Sequence, residues 1–325
     1  MDLESVQYTN DEATGNKAYA VRLGYWADPY IKIFCPLPVS STPEISRGYF
    51  VRVQTFEAIV ARFIQDCNKS CQIVNFGAGS DTLYFRLKDR ESLPSSYVEL
   101  DLPGNVRKKI FTLRRNTVLK SALASGDSTS VLPSGPIDRA KFGSYHILSF
   151  DLQSDPDSLI KLLCESPDGP KLSSDLPTLF LAECVLVYIP TKFSDSLLLT
   201  LSSKFTQAAF LNYEQVNMID KFGEIMRSHF RDRSCELPGL GACGSLDEQI
   251  TRFKNTGWTE ARAWTINDVF SSLPPEVVKR ISRVEMLDDT EITQQLYDHY
   301  CIVLAANTNS ICNWDSLKTP LSDLK

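Results

Sequence analysis

Apolar residues form two kinds of pattern along this chain, one typical of helices and one typical of strands. In one long segment they lie three and four residues apart, as in an amphipathic helix, and this segment runs from Glu44 to Asp66 with Tyr49, Val53, Phe56, Val60 and Phe63 on its apolar face. Short continuous apolar runs follow, each bounded by Gly, Pro or polar residues, and such runs are typical of strands buried on both faces. Strands that alternate with helices predict a parallel, doubly wound α/β sheet.

Seven of the apolar runs are predicted to be strands. They lie at Ile73–Phe76, Tyr97–Asp101, Tyr145–Phe150, Thr178–Val187, Ala208–Tyr213, Trp258–Trp264 and Tyr300–Ala305. Helices are predicted at Leu83–Arg90, after Pro103, and at Pro156–Cys164, Ser194–Phe205 and Gln215–Phe230, and loops at Ser121–Asp138 and Cys235–Gly244. The additional helices before the first strand and between the fifth and sixth are interpreted as an extension and a lid over a ligand site.

A glycine-rich turn follows the first predicted strand. The segment Gln72 to Thr82 reads QIVNFGAGSDT, so Gly77 and Gly79 lie where a nucleotide-like ligand can contact the backbone at the carboxyl end of a strand. A dinucleotide fingerprint has a third glycine three positions later, where this chain has Thr82. The turn therefore favours S-adenosylmethionine over NAD, although a glycine pair also occurs in ordinary turns.

Acidic residues lie at or near the ends of the next three predicted strands. Asp101 follows Gly77 at close to the roughly 20-residue spacing at which an acid meets ribose hydroxyls; alternatively it caps the helix after Pro103. Asp151 and Leu152 follow the third strand. Glu183 lies inside the apolar fourth strand, where an unpaired carboxylate is costly, so we expect it to pair with a structural cation or to face a ligand.

Composition sets further limits. With 325 residues, 43% hydrophobic and 23% charged, the chain has enough core for one large domain. The net charge of −6 disfavours binding to nucleic acid. The nine cysteines lack the paired spacing of a metal site, so we expect free thiols, no disulfide framework and no metal. Since there is neither a signal-peptide pattern nor an apolar run of ~20 residues, a soluble, intracellular protein is expected.

Five segments of the chain, taken in sequence order, resemble the sequences of one protein family. The runs KAYAVRLGYWADPYI, RGYFVRV, QIVNFGAGSDTLYFRL, PTLFLAECVLVYI and FLNYEQVN closely resemble the leucine carboxyl methyltransferases, which methylate the terminal leucine carboxylate of protein phosphatase 2A catalytic subunits. The resemblance extends from about Thr9 to Ala305. It implies a Rossmann-like class I methyltransferase with a seven-stranded, mostly parallel sheet and helices on both faces. S-adenosylmethionine would be the cofactor and the phosphatase catalytic subunit the partner. Nothing in the sequence demands more than a monomer, and we expect the protein to be cytoplasmic.

One methyltransferase domain is the organisation that follows from this resemblance. Its parts are a helical extension at 1–70, the cofactor-binding core at 71–214, the lid-like insertion at 215–257, the final strands and helices at 258–306, and a polar tail at 307–325.

The resemblance also assigns roles to individual residues. The positions that would contact the cofactor are Lys17, Arg52, Gly77, Asp101, Asp151, Leu152 and Glu183, with Gly79 added by the glycine motif. Lys17 and Arg52 would otherwise be read as surface charges, since sequence spacing alone does not bring them to the site. Arg52 would also bind the substrate carboxylate, as its planar fork of donors suits such a group.

Catalysis by this chemistry needs no general base. A terminal carboxylate has a pKa of about 3.5 and is already ionised at neutral pH, so His146, His229 and His299 are interpreted as structural. Tyr188, just beyond the fourth strand, is a second catalytic candidate as a hydrogen-bond donor, with core packing as the alternative.

Two other functions fit parts of the pattern. The tRNA wybutosine methyltransferases share this domain but carry a β-propeller behind it, and the short remainder after Ala306 has no room for propeller blades. The acidic net charge also disfavours tRNA. A non-catalytic phosphatase-binding module is the other alternative, and the intact Gly77, Asp101 and Glu183 argue against it.

Overall fold

An eight-stranded sheet runs through the middle of the protein in the order β3-β4-β2-β1-β5-β6-β8-β7. The structure, a computed structural model, describes residues 3–124, 137–232, 235–308 and 317–324. The strands are β1 (Gln72–Phe76), β2 (Ser96–Asp101), β3 (Arg139–Phe142), β4 (Tyr145–Ser149), β5 (Thr178–Glu183), β6 (Ala208–Gln215), β7 (Glu260–Thr265) and β8 (Tyr300–Ala306).

Five neighbouring strands are parallel, which confirms the predicted α/β class. Strands β4, β2, β1, β5 and β6 form this parallel part, and the pairs β3·β4, β6·β8 and β7·β8 are antiparallel. The count of seven strands was wrong by one. The additional strand, β3, has only four residues, and only Ala140 and Phe142 of these are buried, so its apolar signal was too short to detect.

Helices cover both faces of the sheet. They are α1 (Leu3–Leu23), α2 (Ile31–Phe34), α3 (Pro43–Asp66), α4 (Leu83–Asp89), α5 (Pro103–Arg115), α6 (Thr117–Ala124), α7 (Pro156–Ile160), α8 (Thr191–Lys204), α9 (Lys221–Asp232), α10 (Leu246–Asn255), α11 (Ile266–Ser271), α12 (Pro275–Ser282) and α13 (Thr290–Asp298). Of the helices in these described ranges, none combines the length and apolar composition needed to cross a bilayer.

Successive residues of the strands belong to two separate apolar cores. Leu179 and Leu181 of β5 pack in the core that contains α3 and α4, whereas Phe180 packs on the opposite face with α8. Phe180 stacks on Phe76 of β1 with ring centroids 5.8 Å apart. Both faces of the sheet are therefore buried, as the continuous apolar runs predicted.

Several element boundaries differ from those predicted. Strand β5 ends at Glu183 instead of Val187, because the chain turns at Cys184, which has a φ of 60°, into a short 3-10 helix at Leu186–Tyr188. Glu183 is thus the last residue of its strand. The helix predicted from Gln215 begins only at Lys221, because β6 extends through Gln215.

Both predicted loops contain helical residues. The segment Ser121–Asp138 begins inside α6, which ends at Ala124, and residues 125–136 lie outside the described part. The segment Cys235–Gly244 contains a 3-10 turn at Leu240–Ala242.

The carboxyl-terminal segment is not only polar. Leu317 and Leu321 are buried in the same core as α3, and the Trp264 indole N–H donates to the Lys318 carbonyl at 2.8 Å. These contacts tie residues 317–324 to β7 and to the helical side of the sheet. The predicted polar tail is therefore in part a structural element of the core.

Buried charges join the amino-terminal helices to the sheet. The Arg86 guanidinium on α4 donates to Asp28 and to Glu57 on α3, each at 3.0 Å, and all three side chains are almost completely buried. Removing one partner of such a network leaves an uncompensated buried charge, so the arrangement fixes the extension in place. This matters for function because α1 and α3 carry Lys17 and Arg52.

Candidate active site

A cavity of about 390 Å³ opens at the carboxyl ends of β1 and β5. The strand order reverses there, since the chain passes from β1 to β2 and β4 on one side and from β5 to β6 on the other. Such a switch point is where open α/β sheets bind ligands. The cavity wall contains eight of the nine predicted site residues, namely Lys17, Arg52, Gly77, Asp101, Asp151, Leu152, Glu183 and Tyr188.

The glycine turn has no room for side chains. Gly77 and Gly79 have φ angles of 60° and 47°, a region that favours glycine. A Cβ on Gly77 would lie 2.5 Å from Val185 Cγ2, and one on Gly79 would lie 2.0 Å from Asn10 Oδ1. Gly77 lines the cavity, whereas Gly79 packs closely against Asn10 and is the predicted site residue outside the wall.

Asp101 holds this turn from the end of β2. Its Oδ2 accepts the Gly79 N–H at 2.6 Å, while Oδ1 accepts from Leu102 N at 2.6 Å and Asn105 Nδ2 at 3.0 Å. Burial raises the pKa of Asp101, and these three hydrogen bonds oppose that effect. Asp101 is not the N-cap of α5, which is Leu102, although it accepts from the Asn105 side chain in the first turn of that helix. It lines the cavity, and its contact with ribose hydroxyls stays a prediction.

Glu183 lies between two cations from distant parts of the sequence. The Lys17 ammonium is 2.8 Å from Glu183 Oε1, and Arg52 Nε donates to the same oxygen. Arg52 Nη2 also donates to the Glu183 carbonyl at 3.3 Å. Although burial would raise the pKa of Glu183, Arg52 and Lys17 outweigh it and hold that pKa below its usual value. The carboxylate thus pairs with cations and faces the cavity at once.

A second carboxylate, Asp81, lies in the same wall and was missed from the sequence. It accepts a hydrogen bond from Asn75 Nδ2 at 2.9 Å. Burial would raise its pKa, but Lys17, Arg86 and Lys109 outweigh burial and lower it. Its position two residues after Gly79 was the available signal.

Asn10 and Gln153 are two further cavity residues that the sequence did not reveal. Asn10 on α1 accepts the Ser80 N–H at 2.8 Å and so places α1 against the glycine turn. Gln153 donates its backbone N–H to Asp151 Oδ1 at 2.9 Å, which closes a tight turn after β4. Neither residue stands out locally, since both belong to ordinary polar stretches.

Comparison with known proteins agrees with this geometry. A family model described as leucine carboxyl methyltransferase matches residues 13–202. The chain is 38% identical over 312 residues to leucine carboxyl methyltransferase 1 of Bos taurus, covering 95% of this chain and 92% of that protein. The chain belongs to the leucine carboxyl methyltransferase family.

Two further matches are a curated protein with a different name and a solved structure with a more distant sequence. The tRNA wybutosine-synthesizing protein 4 of Rattus norvegicus is 32% identical over 93% of this chain, but the match covers only 44% of that protein. A solved structure from Thermobifida fusca YX, described as a candidate methyltransferase, matches with a TM-score of 0.53 at 12% identity over 81% of this chain and 82% of that one. The latter shows the methyltransferase fold alone.

Tyr188 of this leucine carboxyl methyltransferase family member is part of the cavity wall and of the packing around it. Burial raises its pKa well above the usual value, so its hydroxyl stays neutral and can donate a hydrogen bond. The preceding residue, Val187, donates its N–H to Glu214 Oε2 at 2.8 Å, which fixes the 3-10 turn that carries Tyr188.

The three histidines occupy different settings. Burial lowers the pKa of His146 to about 4, and His299 Nε2 lies 2.9 Å from Asp220 Oδ1; neither of these two residues is in the cavity wall. His229 differs, because it lines the cavity from α9 together with Met226 and Phe230.

The described residues include neither a metal-binding cluster nor a disulfide. In the described ranges, no group of three His, Cys, Asp or Glu residues could hold a metal ion. Nor does the structure show a disulfide among the eight cysteines it describes.

We expect the buried carboxyl group of Glu214 to make stability depend on pH. Burial raises its pKa from 4.5 to about 8, with Arg252 opposing, and Oε1 has no hydrogen-bond partner among the described residues. The folded protein therefore keeps this proton while the unfolded chain loses it, so stability falls as pH rises through that range. Between about pH 5 and pH 8, we expect the free energy of unfolding of the wild type to fall by about 2 to 4 kcal/mol relative to Glu214→Gln.

Urea titrations of both proteins at several pH values measure this difference. Other titrating groups, such as Glu99, are common to the two proteins and cancel in the comparison. If the free energies of unfolding of the wild type and Glu214→Gln change with pH in the same way, Glu214 does not hold a proton in the folded state.

Proposed function

We propose that this protein transfers the methyl group of S-adenosylmethionine to the α-carboxylate of the carboxyl-terminal leucine of protein phosphatase 2A catalytic subunits. The observation that carries this proposal is the position of Arg52. Its guanidinium lies in the cavity wall beside Glu183, close to the glycine turn expected to hold the cofactor. A cation there suits an anionic acceptor.

The residues present fit the cofactor. Gly77 lines the cavity with backbone alone, and Asp101 in the same wall offers a carboxylate for the ribose hydroxyls. Leu152 and Gln153 would hold the adenine after β4. The ionised Glu183 and Asp81 would attract the ammonium of the methionine part, and Lys17 its carboxylate. The cofactor supplies an electrophilic methyl group bound to a sulfonium.

The protein's own part in the reaction is orientation. Arg52 would hold the leucine carboxylate, which is ionised at neutral pH and needs no proton removed before attack. One carboxylate oxygen forms a bond to the methyl carbon as the carbon–sulfur bond breaks, and a neutral ester and thioether result. Alignment of this displacement and exclusion of water are the tasks left to the protein, and α1 and α9 both cover the cavity.

The lid is proposed to contact the body of the phosphatase as well. Met226 and Phe230 of α9 line the cavity, while Ile219 before this helix and Ile225 within it are exposed. A terminal leucine and its neighbours bury little area, so additional contact around the cavity mouth would raise affinity.

Transfer of labelled methyl from S-adenosylmethionine to three substrates tests the proposal. We expect rapid transfer to the intact phosphatase catalytic subunit, none to the subunit lacking its last leucine, and slower transfer to a tail peptide with a raised KM. Methylation of the truncated subunit would overturn the proposed acceptor. If the tail peptide is methylated as efficiently as the intact subunit, the proposed contact between the lid and the phosphatase body would be wrong.

A further inference from the structure

Two tyrosine rings lie against the guanidinium that we assign to the substrate carboxylate, and a third ring stacks on one of them. The Arg52 Cζ lies 5.1 Å from the centroid of Tyr49 and 4.5 Å from that of Tyr213. Tyr300 stacks on Tyr213 with centroids 5.3 Å apart and ring planes 18° apart. We call Tyr49, Tyr213 and Tyr300 the tyrosine cluster.

Separate rigid elements place these rings. Tyr49 precedes Arg52 by three residues on α3, so the two side chains share one face of the helix. Tyr213 lies on β6 as the register partner of Glu183, and Tyr300 begins β8. Tyr213 and Tyr300 are thus held by the sheet beside Glu183, and Tyr49 is held by α3, which also carries Arg52.

The charges explain why aromatic rings suit this position. Arg52 shares its carboxylate partner, Glu183, with Lys17, and the second carboxylate of the wall, Asp81, interacts with Lys17. A second carboxylate beside Arg52 would repel an anionic substrate. Aromatic faces stabilise a desolvated cation through their quadrupole without adding a negative charge. Burial raises the pKa of Tyr213, with Arg52 opposing, and its phenol stays neutral.

We propose that the tyrosine cluster positions Arg52 and keeps its charge available to the carboxylate that accepts the methyl group. This inference rests on the proposed function. Two donors of Arg52, Nε and Nη2, are engaged by Glu183, and the rings restrain the rest of the guanidinium. Tyr49 and Tyr300 also line the cavity, so the carboxylate would reach Arg52 past aromatic surfaces.

A matched pair of substitutions at Tyr213 tests this role. Tyr213→Phe keeps the aromatic face and should retain most of kcat/KM. Tyr213→Leu keeps a buried apolar side chain without the quadrupole, and should lower kcat/KM for the phosphatase tail by about 10- to 30-fold, mainly through KM. The dissociation constant for S-adenosylhomocysteine, measured by calorimetry, should change by less than about twofold in both variants.

Controls separate positioning from damage to the fold. Thermal unfolding reports whether Tyr213→Leu is folded, and Tyr49→Leu against Tyr49→Phe repeats the comparison on α3, where the ring is less buried. If the Leu and Phe variants have equal kcat/KM while the wild type transfers methyl normally, the positioning role would be overturned and the proposed function would stand. Loss of cofactor affinity as large as the loss of kcat/KM would also overturn it. Absence of leucine-dependent transfer by the wild type would overturn the proposed function and this inference together.

Discussion

Arg52→Ala is expected to lower kcat/KM for methyl transfer to the phosphatase by at least about 100-fold. The substitution removes the cation assigned to the substrate carboxylate and leaves Glu183 paired with Lys17 alone. Because an ionised acceptor needs orientation and not deprotonation, no other group replaces this function. Steady-state kinetics with labelled cofactor and intact phosphatase measure the loss.

Stability must be checked in the same variant. Breaking a buried ion pair costs about 3 to 5 kcal/mol, so circular dichroism and thermal unfolding should accompany the kinetics. Arg52→Lys is the matched control, since it retains a cation for Glu183 but lacks the planar fork, and it should keep the fold with partial activity. Near-normal kinetics in folded Arg52→Ala would remove Arg52 from the mechanism.

Asp101→Ala should weaken S-adenosylhomocysteine binding by about 100-fold. The substitution removes the acceptor of the Gly79 and Leu102 N–H groups, so the turn loses its support as well as the carboxylate offered to the ribose. Calorimetry on the purified variant measures the change, and methyl transfer at saturating protein substrate should need correspondingly more cofactor.

Two controls define the cause of this loss. Asp101→Asn keeps one acceptor but places a donor beside Gly79 N or Asn105, and should have an intermediate affinity. Asp138→Ala removes an exposed carboxylate that pairs with Arg139, and should bind as the wild type does. Affinity within about twofold of the wild type in Asp101→Ala would exclude this residue from the cofactor site.

Local patterns predicted the sheet and one half of the cavity. The run into Gly77 and Gly79 is continuous in sequence, and Glu183 is a charge within an apolar run, so both were visible without tertiary information. The parallel strands followed from apolar runs buried on both faces. Strand β3 was not predicted, because two buried residues in four positions make no clear pattern.

Contacts between residues far apart in the sequence form the other half of the cavity. Arg52 and Lys17 contact Glu183 from 131 and 166 residues away, and no spacing rule predicts such contacts. Only resemblance to known sequences placed them at the site. Asn10 and Asp81 had no such support and were missed. Leu317 and Leu321 are likewise buried through tertiary packing, although the segment around them is polar in composition.

The position of the new methyl group tests the central claim most directly. After reaction with S-adenosylmethionine, tandem mass spectrometry of the phosphatase tail should find one added methylene mass on the terminal leucine carboxyl group, and mild alkali should remove it as expected for an ester. A methyl group on any side chain or on the backbone elsewhere, or one that resists alkali, would contradict the account.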